Sequence, residues 1–266
     1  MLVDSLIDSG RYDLRDESLI RRCFESFRRD GVCVLPGFLT NEAIDALCVE
    51  SDQLAPLAHR SSTNASPYLA PVDQSYSEGH PRRTVSASSV EVVAYDQFPS
   101  ESPLRRLYES DDVLEFVRQC LGLDVLHRYA DPFGALNLAI MRDGDRLGWH
   151  FDMTDFVVSI AIQTSESGGD FENAKQIRSA RDESYAEVSD VLNGGRADLV
   201  RTEPMTPGTL MLFNGRWSMH RVTEIRGSRP RYVALLAYDT KPGTDSSETL
   251  KLSRYGRLPT SKVEST

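Results

Sequence analysis

His150 and Asp152 form an H-x-D pair in the segment GWHFDMT, and His220 stands far downstream at the end of TPGTLMLFNGRWSMH. In an extended segment, residues i and i+2 point to the same side. Thr154, Phe156, Val158, Ile160 and Ile162 continue that parity and are mostly apolar, so the phase predicts that His150 and Asp152 face an interior. An imidazole and a carboxylate on such a face cost free energy unless they are paired. A metal ion supplies the pairing. Two histidines and one carboxylate occupy one face of an octahedral iron(II) and leave three positions open for co-substrate and dioxygen. A catalytic zinc on the same ligands is the competing reading. Five histidines among forty acidic residues make an H-x-[DE] pair common, so the pair alone is a weak signal.

Its weight comes from context. Arg231 opens the strand-like run RYVALLAYDT and shares parity with Val233 and Leu235, which directs its side chain into the same interior. A buried guanidinium wants a bidentate carboxylate partner. A dicarboxylate chelating the metal at one end and reaching Arg231 at the other would provide one. Arg229 lies two residues earlier with the same parity and is the rival, while a structural salt bridge is the plainer reading of Arg231. Trp149 and Trp217 stand beside the ligands in sequence and serve either as pocket walls or as core.

The elements that must hold these residues follow from periodicity. Leu19, Ile20, Cys23 and Phe24 form one helical stripe, and a short strand over 31–35 is stopped by Pro36-Gly37. Thr40 or Asn41 caps a helix through Ala43, Ile44, Leu47 and Cys48. A Ser/Pro-rich stretch over 58–83 reads as a long surface excursion, and a single helix is expected over 103–120. VLHRYA, ALNLAIMR, DFVVSIAIQT, TLMLFNGR and RYVALLAYDT then read as short strands, interrupted by an acidic helical insertion over 181–193. The expected fold is mainly β with flanking helices, a sandwich or barrel. One domain over 1–266 is expected, with a mostly helical lead-in and substrate-side loop over 1–122 and a β core over 123–245.

Thirty basic against forty acidic residues give a net charge of −10, which argues against nucleic acid or an anionic membrane as partner. No run approaches the roughly 20 apolar residues of a membrane span. The opening MLVDSLIDSGRYDL shows no signal peptide, so a cytoplasmic location is expected. Cys23, Cys33, Cys48 and Cys120 are irregularly spaced and are expected to stay reduced.

The segments RYADPFGALNLAIMRDGDRLGWHFD, FVVSIAIQTSESGGDFE and PGTLMLFNGRWSMHRVTEIRGSRPRYVALLAYDTKPG resemble those of Fe(II)/2-oxoglutarate-dependent oxygenases with the double-stranded β-helix (cupin-like jelly roll) fold. The nearest resemblance is to the branch of radical amino-acid halogenases and their hydroxylase relatives, and it covers about residues 82–243. It implies that His150, Asp152 and His220 are catalytic iron ligands. It also implies that Arg231, or Arg229, binds the distal carboxylate of 2-oxoglutarate. Asn137, facing inward in the strand ahead of the H-x-D pair, either touches 2-oxoglutarate or satisfies its own backbone. Halogenating members carry a small residue where this chain has Asp152, which opens a site for halide. The implied reaction is therefore dioxygen- and 2-oxoglutarate-dependent C–H hydroxylation, with desaturation or ring closure as variants.

Relatives place a carboxylate-binding arginine near His80-Pro81-Arg82-Arg83, so Arg82 or Arg83 is the candidate for a substrate carboxylate, with solvated surface charge as the plainer reading. Thr154 and Asp155 are candidates for a substrate amine. Phe133 and Met153 stand where lysine-using relatives carry acids, which favours a shorter or more apolar amino acid. His59 and His127 join no constellation, and the charge run over 178–190 reads as a solvated helix or lid edge. The expected partner is a small molecule, with a homodimer allowed. A non-catalytic cupin-like binding module and a zinc hydrolase are the rival functions.

Overall fold

The computed structural model describes residues 3–260. Helix α1 (Glu17–Asp30) starts on the Asp16 side chain, which accepts from Ser18 N, and ends at Gly31 in the left-handed region at φ 68°. That turn feeds β1 (Val32–Leu35), and Thr40 caps α2 (Asn41–Leu54) by accepting from Ala43 N. β2 (His59–Ala65) and β3 (Ser86–Val93) follow, so the Ser/Pro-rich stretch is not all excursion: its first third is a strand paired with β3. The single helix expected over 103–120 is two, α3 (Pro103–Glu109) and α4 (Asp111–Leu121). Ser110 ends the first and caps the second by accepting from Val113 N, and Asp111 and Asp112 favour a new N-terminus there.

The β-rich part contains β4 (His127–Arg128), β5 (Leu136–Met141), β6 (Leu147–His150), β7 (Val157–Gln163) and β8 (Phe171–Ala174). Helix α5 (Tyr185–Leu192) interrupts them within the acidic insertion. Then come β9 (Val200–Glu203), β10 (Leu210–Phe213), β11 (Met219–Val222), β12 (Arg231–Leu236), β13 (Tyr238–Asp239) and α6 (Glu248–Tyr255). Eleven strands form one antiparallel sheet in the order β1-β10-β7-β12-β5-β3-β6-β11-β8-β9, with β2 beside β3. β1, β2 and β3, from the lead-in, therefore belong to the same sheet as the β core.

The sheet is folded back on itself. β10 and β11 are six places apart in the order, roughly 29 Å in a flat sheet. Yet Phe213 on β10 meets His220 on β11 with ring centroids 4.7 Å apart. The outer face of one half packs Val158, Ile160, Ile162, Leu138, Ile140 and Leu212 against the helices in the main core. Among the described residues, no helix is long and apolar enough to cross a membrane. Cys23, Cys33 and Cys120 are buried and all four cysteines are free.

Asp145 fixes the β5–β6 turn that leads to His150. It is fully buried, and its carboxylate accepts from Arg60, Ser89 and the Arg142 N–H. Burial pushes this carboxyl up, but the bonds from Arg60, Ser89 and Arg142 together outweigh that and hold it below the usual range. Asp145→Ala is expected to cost about 2 kcal/mol, since it removes the buried carboxylate that ties the turn to Ser89 and to the half-exposed Arg60. Urea denaturation measures this, and an unchanged midpoint would remove Asp145 from the framework of the site.

Candidate metal centre

Antiparallel pairing of β6 with β11 sets His220 directly opposite His150, on one face of the sheet. Each imidazole is oriented by a carbonyl two residues back, Nδ1 of His150 lying 2.8 Å from Gly148 O and Nδ1 of His220 lying 3.0 Å from Ser218 O. A carbonyl only accepts, so in the neutral form of each ring Nδ1 carries the proton and Nε2 presents a lone pair. The rings stand 4.2 Å apart.

Asp152 arrives from a loop. β6 ends at His150, and Asp152 is anchored by donating its N–H to Gly215 O at 3.0 Å. Its Oδ2 lies 3.4 Å from His220 Nε2 and its Oδ1 lies 3.8 Å from His150 Nε2. The sequence phase places His150 and Asp152 on one side, and the structure brings them together with His220, but the same phase fails downstream. The chain leaves the sheet between His150 and Val157, and the phase is lost. Val158, Ile160 and Ile162 face the helices, whereas Ser159, paired with Met211 and Leu235, is on the site's side.

The ligand atoms of His150, Asp152 and His220 all lie within 4.8 Å of one another, the one such group among the described residues. Burial pushes the His220 imidazole down to about 4, with Asp152 opposing the shift and His150 adding to it. It is neutral at pH 7 and ready to donate a lone pair. Oδ2 of Asp152 is buried without a hydrogen bond. An orphaned acceptor between two imidazole lone pairs fits a cation, and the two-histidine, one-carboxylate set fits iron(II).

The same inner face holds a second deficit. Phe171 and Phe213, whose rings meet His220, cluster with Met141, Met211, Val222 and Ile225. Arg231 abuts that cluster. It is 7% exposed, and among the described residues its guanidinium donates only to Met141 Sδ, at 4.0 Å. Burial pulls its guanidinium down to about 10, only partly countered by Asp170, so it remains charged at neutral pH. Ser159 Oγ and Asn173 Oδ1 are also buried and unbonded on this side, Asn173 facing His220 across the β8–β11 pair. Ser159 was legible only as the polar odd position of VVSIAIQ, and nothing in the sequence marked Asn173.

The other candidates go elsewhere. Arg229 is exposed and donates to Ser165 O, which takes its side chain out of the interior. The Asn137 amide is fully engaged by Phe133 O, Leu136 O and the Tyr255 hydroxyl, the structural half of its two expected roles. Trp149 belongs to the cluster on the outer face of β6, with Phe151, Met219, Val188 and Val191, so it packs core and not pocket. Asp155 is tied to Arg216, and Thr154 is half-buried beside it. Arg83 turns to Tyr76 O and Glu78. Arg82 lies over the Tyr68 ring, bonds the Tyr185 hydroxyl, and pairs with Glu183 at 3.3 Å. Arg178, unremarked within its charge run, takes the other oxygen of Glu183 at 3.0 Å while stacking 3.9 Å over Phe151, between the two ligands in sequence.

A family model described as halogenase D matches residues 15–252. Comparison with curated proteins gives no match. Among solved structures, the chain is similar to a 2OG-Fe(II) oxygenase family oxidoreductase from Burkholderia pseudomallei, at 15% identity and TM-score 0.53 over 85% of this chain and 92% of that one. It is similar to SnoK, an α-ketoglutarate-dependent carbocyclase from nogalamycin biosynthesis, at 14% identity and TM-score 0.59 over 94% and 97%. It is also similar to HygX from Streptomyces hygroscopicus, a structure with nickel, 2-oxoglutarate and hygromycin B bound, at 14% identity and TM-score 0.52 over 84% and 88%. These likenesses identify the fold as the jelly roll of such oxygenases.

An unpaired buried charge makes a distinctive stability prediction. Arg231→Met keeps the stem and removes the desolvated guanidinium, so protein prepared without cofactors is expected to gain about 1–3 kcal/mol. Chemical denaturation reads this, and a loss of stability would mean that the guanidinium is already well bonded.

Proposed function

The chain belongs to the halogenase D family, and from that premise we propose that it is an Fe(II)- and 2-oxoglutarate-dependent oxygenase that hydroxylates a free amino acid or a small amino-acid-derived metabolite. The observation that carries this reading is the pairing of two deficits on one inner face: three converging acceptors that suit a cation, and the lone buried charge of Arg231 that suits a carboxylate. Iron(II) chelated by 2-oxoglutarate satisfies both. When bound, that pair supplies the oxidation of an unactivated C–H bond, with dioxygen consumed and 2-oxoglutarate split to succinate and carbon dioxide.

The chain's own residues do the positioning. His150, Asp152 and His220 hold the metal, Arg231 sets the far end of 2-oxoglutarate, and Ser159 offers a hydroxyl on the same face. Phe171, Phe213 and Met211 keep water from that side of the centre. The carboxylate of Asp152 occupies the ligand position that a halide would need, which favours oxygen insertion over halogenation despite the family's name.

Amino-acid recognition is supported by Arg82 and Arg178. Together they grip the two oxygens of Glu183, which is the arrangement a substrate carboxylate would require in its place. Phe133 is buried and Met153 is exposed at the ligand loop, so neither offers a charge to a lysine amine.

The test is dioxygen-dependent succinate release from iron(II)-loaded protein, screened across free amino acids. One or a few amino acids are expected to stimulate it, with a product that has gained one oxygen atom. Asp152→Ala is expected to abolish the stimulated release, and Arg231→Met to weaken 2-oxoglutarate binding at least about 100-fold. Metal binding with no consumption of dioxygen under any substrate would support a binding module and contradict the proposal.

A further inference from the structure

Gly215 stands in the turn between β10 and β11, within FNGRW. Its φ lies outside the left-handed region, so no backbone conformation there calls for glycine. Space does. A Cβ on Gly215 would come within 1.7 Å of Asp152 Oδ2, 2.6 Å of its Cγ and 2.9 Å of its Cβ. No other glycine among those described has so close an approach, and all three nearest atoms belong to this one carboxylate side chain.

Neither backbone has room to retreat. Asp152 donates its N–H to Gly215 O, so the two peptides are tied at the point of contact. On one flank Asn214 donates to Gly31 O at 2.8 Å, and Ser218 donates to Asn214 O at 3.1 Å. On the other flank Arg216 reaches back to both Asp155 and Met153 O, while Arg178 Nε donates to Arg216 O at 2.8 Å. The turn and the ligand loop are thereby laced together on both sides of the contact. A new methyl group is accommodated only by turning the carboxylate out of the space between His150 and His220.

We propose that Gly215 is a positioning residue of the metal centre, keeping open the space in which the Asp152 carboxylate lies between the two imidazoles. The inference rests on reading His150, Asp152 and His220 as metal ligands. It adds that their geometry is set by a residue that touches neither metal nor substrate.

The experiment pairs metal binding with a stability cycle. Isothermal titration of Mn(II) into metal-free wild type and Gly215→Ala is expected to show binding weakened by about 10- to 100-fold in the variant. Melting temperatures are then measured in EDTA for wild type, Gly215→Ala, Asp152→Gly and the double variant. Gly215→Ala is expected to lower the melting temperature of wild type but not that of Asp152→Gly, where the obstructing side chain is gone. Equal Mn(II) affinity in wild type and Gly215→Ala would overturn this inference and leave the metal reading standing. An equal loss of stability in both backgrounds would also overturn it, by locating the clash in the backbone. Absence of Mn(II) binding by wild type itself would instead overturn the metal reading on which the inference rests.

Discussion

Three acceptors turned toward one another are the constraint from which the rest of the structure follows. With both Nδ1 atoms donating to carbonyls, the Nε2 lone pairs of His150 and His220 converge on the carboxylate of Asp152. In a half-buried site that is a local excess of negative potential, relieved by a proton or a metal ion. The depressed basicity of His220 makes a proton the poorer remedy near neutral pH. The arrangement is therefore intelligible as half of a metal complex. The isolated guanidinium of Arg231 is a second incomplete pair, with the opposite sign, on the same inner face.

An inner face that keeps unmatched groups must be stabilised by the rest of the fold. The helices cover the opposite face of β5, β7, β10 and β12 and create the main core, while α5 covers the outer face of β6, β8 and β11. The folded sheet thus has two covered outer faces and an interior in which a few unmatched polar groups stand among apolar side chains. Cross-strand register then does the aiming, because a one-residue slip of β11 against β6 would turn His220 outward. Asp145 and Gly215 act where register cannot, at the turn before His150 and against the loop that carries Asp152.

Much of this was legible in residue types. The cap at Thr40, the apolar stripe of α1 and the short β runs follow from local rules, as does the H-x-D pair with its distant histidine and arginine. What escaped is what depends on the chain leaving regular structure. Parity could not be carried through the loop between His150 and Val157, so the reading gave Val158, Ile160 and Ile162 the wrong side. Polar, serine-rich β2 has no apolar alternation to betray it, because it lies at the margin of the sheet and pairs only with β3. Ser110 was hidden because the apolar periodicity runs on across it. Asn137 and Arg229 shared parity with the site, but parity gives only the face, and each side chain bends to nearer partners.

The central claim is that this inner face is completed by iron(II) and 2-oxoglutarate together. Anaerobic addition of iron(II) and 2-oxoglutarate to metal-free protein, followed by visible absorption, tests it most directly. The account predicts the weak charge-transfer band of a chelated complex, present in wild type, absent without either component, and shifted by the amino-acid substrate. Iron(II) binding with no such band at any 2-oxoglutarate concentration would contradict it.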